Sequence, residues 1–292
     1  MKKILLIGAN SYVAKALARE LIPHFHVLGT YHNQKNANIK EQVPLDITNA
    51  AEVSKVISQI NPEIIIVPAG ISTDNAPVER IRETNITAVQ HIVDATRALK
   101  NHPTVVLFST EQVFGGSKSE YTEGDEPDPV NEYGKSKAAA EKIVRAYDPH
   151  LIVRLSAVLG PKEADDHHNF LTKFAAGELP SVFSDVYRRP IYIKDAARAI
   201  AFAIQHDVRG TLHVTGNTLL SYEAMAALTA KFLHRAPTYS VSACTNPSVP
   251  RRLVLSNEAL RARIPFELHS FEEMLRDCAK KLTDPAGHSH HG

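Results

Sequence analysis

Two short segments of this 292-residue chain carry side chains that could move a proton together. Tyr133 and Lys137 stand four apart in Tyr133-Gly134-Lys135-Ser136-Lys137, a spacing that puts both on one face of a helix. A phenol needs help to exchange a proton near neutral pH. A cation one turn away favours its phenolate and lowers its pKa. Upstream, the apolar run Thr104 to Phe108 ends in Ser109-Thr110-Glu111, with Thr110 placed 23 residues before Tyr133. A hydroxyl at the C-terminal end of a strand lies at the rim where open α/β sheets bind ligands. Thr110 is therefore placed to hydrogen-bond a substrate oxygen beside Tyr133. A Tyr-x-x-x-Lys pair alone is a common helix-surface pair; its place after a strand-end Ser-Thr makes it a candidate catalytic set.

The hydrophobic pattern supplies a frame for that set. Apolar runs at Lys3 to Ile7, His26 to Thr30, Ile64 to Val67, Thr104 to Phe108, Leu151 to Leu155 and Thr211 to Val214 read as strands. Between them Ser11 to Leu21, Val53 to Ile60, Asn85 to Leu99, Gly134 to Tyr147 and Asp195 to Gln205 read as helices. Several strands are apolar throughout, which calls for a parallel sheet covered on both faces. The expectation is a Rossmann-type, doubly wound α/β fold with a smaller C-terminal substrate-binding lobe. Residues 1–155, with 191–216 returning, form the nucleotide domain. Residues 156–190 and 217–285 form the lobe, and the His-rich 286–292 reads as a disordered tail. The polar, Pro- and Gly-rich stretch Gly115 to Pro129 reads as a surface loop.

The turn after the first strand, Gly8-Ala9-Asn10-Ser11-Tyr12-Val13-Ala14, sits where a dinucleotide fold cradles a pyrophosphate at a helix N-terminus. Gly8 keeps the first place of a G-x-x-G-x-x-G pattern, while Ser11 and Ala14 occupy the other two. The turn reads either as a modified dinucleotide site contacted by Gly8, Asn10, Ser11, Tyr12 and Val13, or as a plain α/β turn. No acid follows the second strand to hold a ribose 2′-hydroxyl; Tyr31, His32 and Lys35 stand there instead, which leans towards a 2′-phosphate and hence NADP, with NAD the other candidate. Asp46, before Ile47, reads as an adenine contact or a helix cap. Arg188 and Arg189 read as a diphosphate clamp or an exposed basic loop. Glu163, Asp165, Asp166, His167 and His168 read as a lid-like loop, and no metal site is expected.

A net charge of +1 gives no basic stripe for nucleic acid, and no run approaches the roughly 20 apolar residues of a membrane helix. Two cysteines without a CxxC fit a cytoplasmic protein lacking a disulfide scaffold, and the short apolar run after Met1 is not read as a secretory signal.

The chain resembles the extended short-chain dehydrogenase/reductases that act on nucleotide sugars, and is most similar to the dTDP-4-dehydrorhamnose reductase family. The resemblance rests on the Gly8 turn, Leu45-Asp46-Ile47, Asn61-Pro62-Glu63, Asn85-Ile86-Thr87, Phe108 to Gly116, Tyr121-Thr122-Glu123, Pro129 to Lys137, Val153 to Ser156 and Gly210 to Gly216. It implies that NADPH reduces a C4 ketone of a nucleotide-linked deoxysugar. Tyr133 would donate the proton, Lys137 would tune Tyr133 and hold the nicotinamide ribose, and Thr110 would orient the carbonyl. Asn85 would support the site through the backbone, and Val67-Pro68-Ala69-Gly70 would run along the cofactor. Ser109, Glu111 and Arg154 are the substrate-side residues it implies, together with Arg188 and Arg189. A homodimer is compatible with it. Two departures stand out: Glu111 replaces the family's Asp, and Ala157 stands where an aromatic often lies near the sugar. A cofactor-holding epimerase and a non-catalytic regulatory subunit are the competing readings.

Overall fold

The computed structural model describes residues 1–68, 70–71, 76–161 and 169–283. The first half contains β1 (Lys3–Leu6), α1 (Tyr12–Leu21), β2 (His26–Tyr31), β3 (Glu41–Pro44), α2 (Ala50–Ile60) and β4 (Ile64–Val67). Next come α3 (Val78–Arg82), a π-helical turn (Glu83–Thr87), α4 (Ala88–Arg97), β5 (Thr104–Thr110), a 3-10 turn (Glu111–Val113), α5 (Glu132–Arg145) and β6 (His150–Leu155). The second half opens with β7 (Val158–Leu159), α6 (Phe170–Ala176), β8 (Ser181–Phe183), β9 (Tyr187–Arg188), β10 (Ile191–Tyr192) and α7 (Ile193–Gln205). It ends with β11 (Gly210–Val214), β12 (Leu220–Ser221), α8 (Tyr222–Phe232), β13 (Ser240–Ser242), β14 (Arg252–Leu253), α9 (Glu258–Arg261) and α10 (Phe271–Thr283).

The main sheet has seven strands in the order β11-β6-β5-β4-β1-β2-β3, all parallel. Connections run outward from β1 in both directions, so a crevice opens above the C-terminal ends of β1 and β4. Successive side chains of a strand point to opposite faces. Ile4 and Leu6 therefore pack with Leu17 of α1 and Ile200 of α7, while Leu5 and Ile7 pack with Val53 of α2, Ile92 of α4 and Val144 of α5. Each fully buried Leu or Ile in these two layers contributes about 1.5–3 kcal/mol. A further apolar cluster joins Tyr12 and Ala16 of α1 to Leu171 and Phe174 of α6, Met225 of α8 and Leu275 of α10. The second half of the chain thus rests on the helix that follows the first turn.

The Rossmann-type sheet expected from the apolar pattern is present, with three differences. The edge strand β3 is added, its burial too partial to show in the hydrophobic pattern. The helix expected from Asn85 to Leu99 begins as a π-helical turn that buries Asn85. The segment Gly115 to Pro129 is anchored rather than merely superficial. Tyr121 is buried, stacks on Phe114 with centroids 4.1 Å apart, and exchanges backbone hydrogen bonds with Val254 and Ser256. The ring of Tyr121 is apolar enough to close a small cluster with Leu253 and Leu255. Among the described residues no helix is long and apolar enough to cross a membrane, and no group of metal-ligating side chains is found. The loop from Glu163 to His168 and the tail from 286 lie outside the described residues.

Candidate active site

The start of α5 is fixed from outside the helix. Asn131 caps it by accepting from the Gly134 N–H at 2.8 Å, and its own amide donates to Gln112 Oε1 at 3.0 Å. Gly134 is dictated by close approach: a Cβ there would lie 2.0 Å from the Gln112 carbonyl oxygen. α5 is thereby pressed against the 3-10 turn that follows β5. This brings the Tyr133 phenol beside the Thr110 hydroxyl. Thr110 also accepts from the Gln112 N–H at 3.2 Å, which orients its side chain.

Lys137 is 2% exposed and reaches the end of β4. A Cβ on Gly70 would lie 3.3 Å from both Lys137 Nζ and Asn85 Oδ1, so the ammonium, the amide and the Gly70 backbone share one small space. Asn85 is fully buried. It donates to the Ile71 carbonyl and to Ser136 Oγ, each at 2.9 Å, and accepts from the Ile71 N–H at 2.9 Å. Ser136 donates in turn to the Tyr133 carbonyl at 2.7 Å. Asn85 therefore ties the segment after β4 to α5 through the backbone. The π-helical turn re-aims it inward, a use that π turns often have at functional sites.

The electrostatics differ from the expected depression of Tyr133. Burial pushes the Tyr133 phenol up to about 12, opposed in part by its bond to Thr110. Burial also pulls the Lys137 ammonium down to about 8, with Glu141 opposing that pull. Both charged forms lose water here, and desolvation outweighs the help of Thr110 to one and of Glu141 to the other. Tyr133 is accordingly held protonated.

The first turn keeps the features of an anion site. Gly8 has φ 64°, in the left-handed region that favours glycine, and its N–H donates to Thr30 Oγ1 at 3.1 Å. Ser11 is the exposed N-cap residue of α1, and its side chain makes no cap hydrogen bond. Val13 is half-buried, and the Asn10 amide donates to Gln34 at 3.3 Å. Tyr12 differs from the expectation: its ring turns away, and its hydroxyl donates to the Pro161 carbonyl at 3.1 Å, so only its backbone faces the turn. Its ring is drawn into the apolar cluster shared with α6 and α8. Asn36, which sequence reasoning missed, is fully buried and donates to the Ala9 carbonyl at 2.7 Å, joining the loop after β2 to the turn. An Asn in a polar loop carries no sequence signal for that role. His32 and Lys35 are exposed, with Lys35 over the Tyr31 ring, 5.4 Å from its centroid. Asp46 caps locally, accepting from the Thr48 N–H and hydroxyl, and these bonds hold its carboxyl below the ordinary range. Ile47 packs under α2. Ala69 lies outside the described residues.

The substrate side needs correction. Ser109 and Arg154 do not face the cleft. Ser109, Arg154 and His213 are side by side across β5, β6 and β11, in register, beneath α5. Arg154 is fully buried and forks onto Glu141, Nε to Oε1 at 3.0 Å and Nη2 to Oε2 at 2.8 Å, while Ser109 Oγ donates to Oε1 at 2.5 Å. The alternation of β5 sends Ser109 to the face opposite Phe108, under the helix. Arg188 and Arg189 do not form an exposed basic loop; both guanidinium groups are engaged within the protein. Arg188 pairs with buried Glu111 at 3.1 Å and donates to the Pro250 carbonyl at 3.0 Å. Arg189 donates to Glu120 at 2.7 Å and to the Leu255 carbonyl at 2.8 Å. Glu111 remains at the rim beside Thr110. Its Oε2 is buried and lacks a partner among the described residues, and burial raises its carboxyl to about 7 against the pull of Arg188.

Comparison with known proteins shows the family of the chain as a whole. The family model described as RmlD substrate binding domain matches residues 1–284. The chain belongs to this family. It is 28% identical over 269 residues to the dTDP-4-dehydrorhamnose reductase of Aggregatibacter actinomycetemcomitans, covering 86% of this chain and 87% of that one. A hypothetical dTDP-4-dehydrorhamnose reductase of Sulfolobus tokodaii superposes with a TM-score of 0.80 at 25% identity, over 93% of this chain and 99% of the other. The dTDP-4-dehydrorhamnose reductase of Bacillus anthracis, solved in complex with NADP, has the same fold with a TM-score of 0.78 at 23% identity, over 95% and 98%.

Proposed function

We propose that this RmlD-family chain is an oxidoreductase that uses NADP, with NAD as the alternative, to reduce the C4 ketone of a nucleotide-linked deoxysugar. The observation that carries this reading is the juxtaposition of Tyr133 and Thr110 at the sheet rim, with the Lys137 ammonium and the Asn85 amide meeting at Gly70. The reductase names of its relatives support the substrate class.

The residues present fit a dinucleotide. Ser11 leaves the first N–H groups of α1 uncapped by its side chain, and such a helix N-terminus suits a phosphate. Gly8, Asn10, Val13 and the Tyr12 backbone would line it, with His32 and Tyr31 towards the ribose of the adenosine and Asp46 and Ile47 beyond. Lys137 would hold the nicotinamide ribose near Gly70. When bound, the cofactor supplies a hydride to the carbonyl carbon. Thr110 orients the carbonyl oxygen. Tyr133, held protonated, gives its proton to that oxygen, since the alkoxide being formed is a stronger base than a phenolate. Residues 156–190 and 217–283 would carry the sugar nucleotide, with Glu111 and Arg188 at the junction.

Replacement Tyr133→Phe removes only the proton donor. Turnover of a 4-keto nucleotide sugar should fall about 10²–10⁴-fold, with the NADPH Kd from fluorescence titration changed less than about twofold, because the ring stays and ribose contacts do not use the phenol. Retained turnover would remove Tyr133 from the proposed chemistry.

A further inference from the structure

The polar cluster beneath α5 is not part of the cleft, yet it stands one helix turn behind Lys137. Glu141 follows Lys137 at i+4, so the two side chains share the buried face of α5, with Cβ atoms about 6 Å apart. Lys137 is 2% exposed and Glu141 1% exposed. Three elements hold the carboxylate. Arg154 of β6 forks onto it, Ser109 of β5 donates to it, and Arg145 of α5 donates at 3.2 Å. Arg154 is held from its far side by the Phe114 ring, 4.8 Å away, with Nη1 3.4 Å from His213 Nε2 of β11.

We propose that Glu141 is a positioning residue of the active site, whose buried carboxylate, locked by Arg154 and Ser109, keeps the Lys137 ammonium charged beside Gly70 and Asn85. A buried ammonium without an anion nearby loses its proton. Beside Lys137 stand Asn85 from the π-helical turn, across Gly70, and on its own helix Tyr133 one turn before and Glu141 one turn after, with Thr110 of β5 beside Tyr133. Among them Glu141 is the one that supplies negative charge: Asn85 and Thr110 are neutral, and burial keeps Tyr133 protonated. His213 also stays uncharged, because burial and Arg154 drive it down to about 3. Serving Lys137 accounts for a carboxylate so deep in the sheet–helix layer. The wild-type ammonium, which burial brings to about 8, stands close to the limit at which it would lose charge at neutral pH.

The role attributed to Lys137 rests on the reductase reading, but its titration does not, so the two can fail separately. The direct test follows the Lys137 Cε resonance with pH in protein carrying ¹³C-labelled lysine, assigned by its loss in Lys137→Arg. In Glu141→Gln the midpoint should fall by about one pH unit or more. Because Glu141→Gln leaves Arg154 buried with its charge unmatched, Glu141→Gln/Arg154→Met provides a second, better-compensated background, and thermal melting by circular dichroism identifies the folded protein. Glu141→Asp should restore the midpoint. The NADPH Kd should weaken above the same midpoint in each protein, and this dependence should vanish in Lys137→Met. An unchanged Lys137 midpoint in either folded variant would reduce Glu141 to a packing role and overturn the proposal. A lowered midpoint in a protein that does not bind NADPH would support the proposal and overturn the cofactor reading instead.

Discussion

Two buried carboxylate–arginine pairs flank Thr110, and they behave oppositely. Beneath α5, Glu141 accepts from Arg154, Ser109 and Arg145, and these donors outweigh burial and hold its carboxyl below the ordinary range. At the rim, Glu111 has Arg188 and the Ala157 N–H; burial outweighs both and lifts it to about 7. In the first, both carboxylate oxygens have donors. The second leaves Oε2 buried and open. The number and geometry of donors, more than the presence of an arginine, set the charge of a carboxylate out of water. A carboxylate with donors on both oxygens suits a fixed electrostatic support. An under-satisfied group beside the Thr110 hydroxyl suits a ligand that brings its own donor.

The largest expected effect comes from breaking each pair at its arginine. Arg154→Ala should cost about 3–5 kcal/mol in urea unfolding at pH 7, because Glu141 is left charged and buried. Arg188→Ala should cost clearly less, because Glu111 already titrates near neutrality and takes up a proton when its partner is removed. Equal losses would break the comparison.

Next in size are the pH signatures, which have opposite signs. Glu111 is raised from 4.5 to about 7, so its contribution is full below pH 4.5 and is lost as pH rises towards 7. Relative to wild type, Glu111→Gln should therefore gain on the order of 3 kcal/mol between those limits. Glu141 is depressed, so its contribution is present above the ordinary 4.5 and is lost as pH falls through its folded value. Glu141→Gln should thus be most costly at neutral pH and converge on wild type in acid. Denaturation midpoints at a series of pH values read both; parallel curves would show that the two carboxyls share one environment.

The smallest change is Ser109→Ala, which removes one hydroxyl donor from Glu141 and no charge. A loss of about 1.5–3 kcal/mol is expected, the range of a hydrogen bond to a charged group. The same change should leave the NADPH Kd nearly as it is, since Arg154 still fixes the carboxylate. A loss of cofactor affinity without a loss of stability would return Ser109 to the cleft.

What the linear sequence determined is the frame and the front of the site. Apolar runs such as Ile64 to Val67, separated by helical spacing, have one economical burial, a parallel sheet covered on both faces. Within that frame Thr110, Tyr133 and Lys137 follow from local geometry, a strand end and two positions one helix turn apart, and local geometry is written in spacing. Whatever depended on register between distant segments was not legible. Ser109 and Arg154 look like substrate residues in a motif, and only the pairing of β5, β6 and β11 shows them lined up with His213 under α5. Asn36 bonding the Ala9 carbonyl, Arg188 pairing with Glu111, and Tyr12 turning to Pro161 likewise join residues far apart in the chain. The charge states followed the same rule. Spacing alone predicts a phenol activated by its lysine, but desolvation depends on everything packed around both groups, and that was decided only when the chain folded.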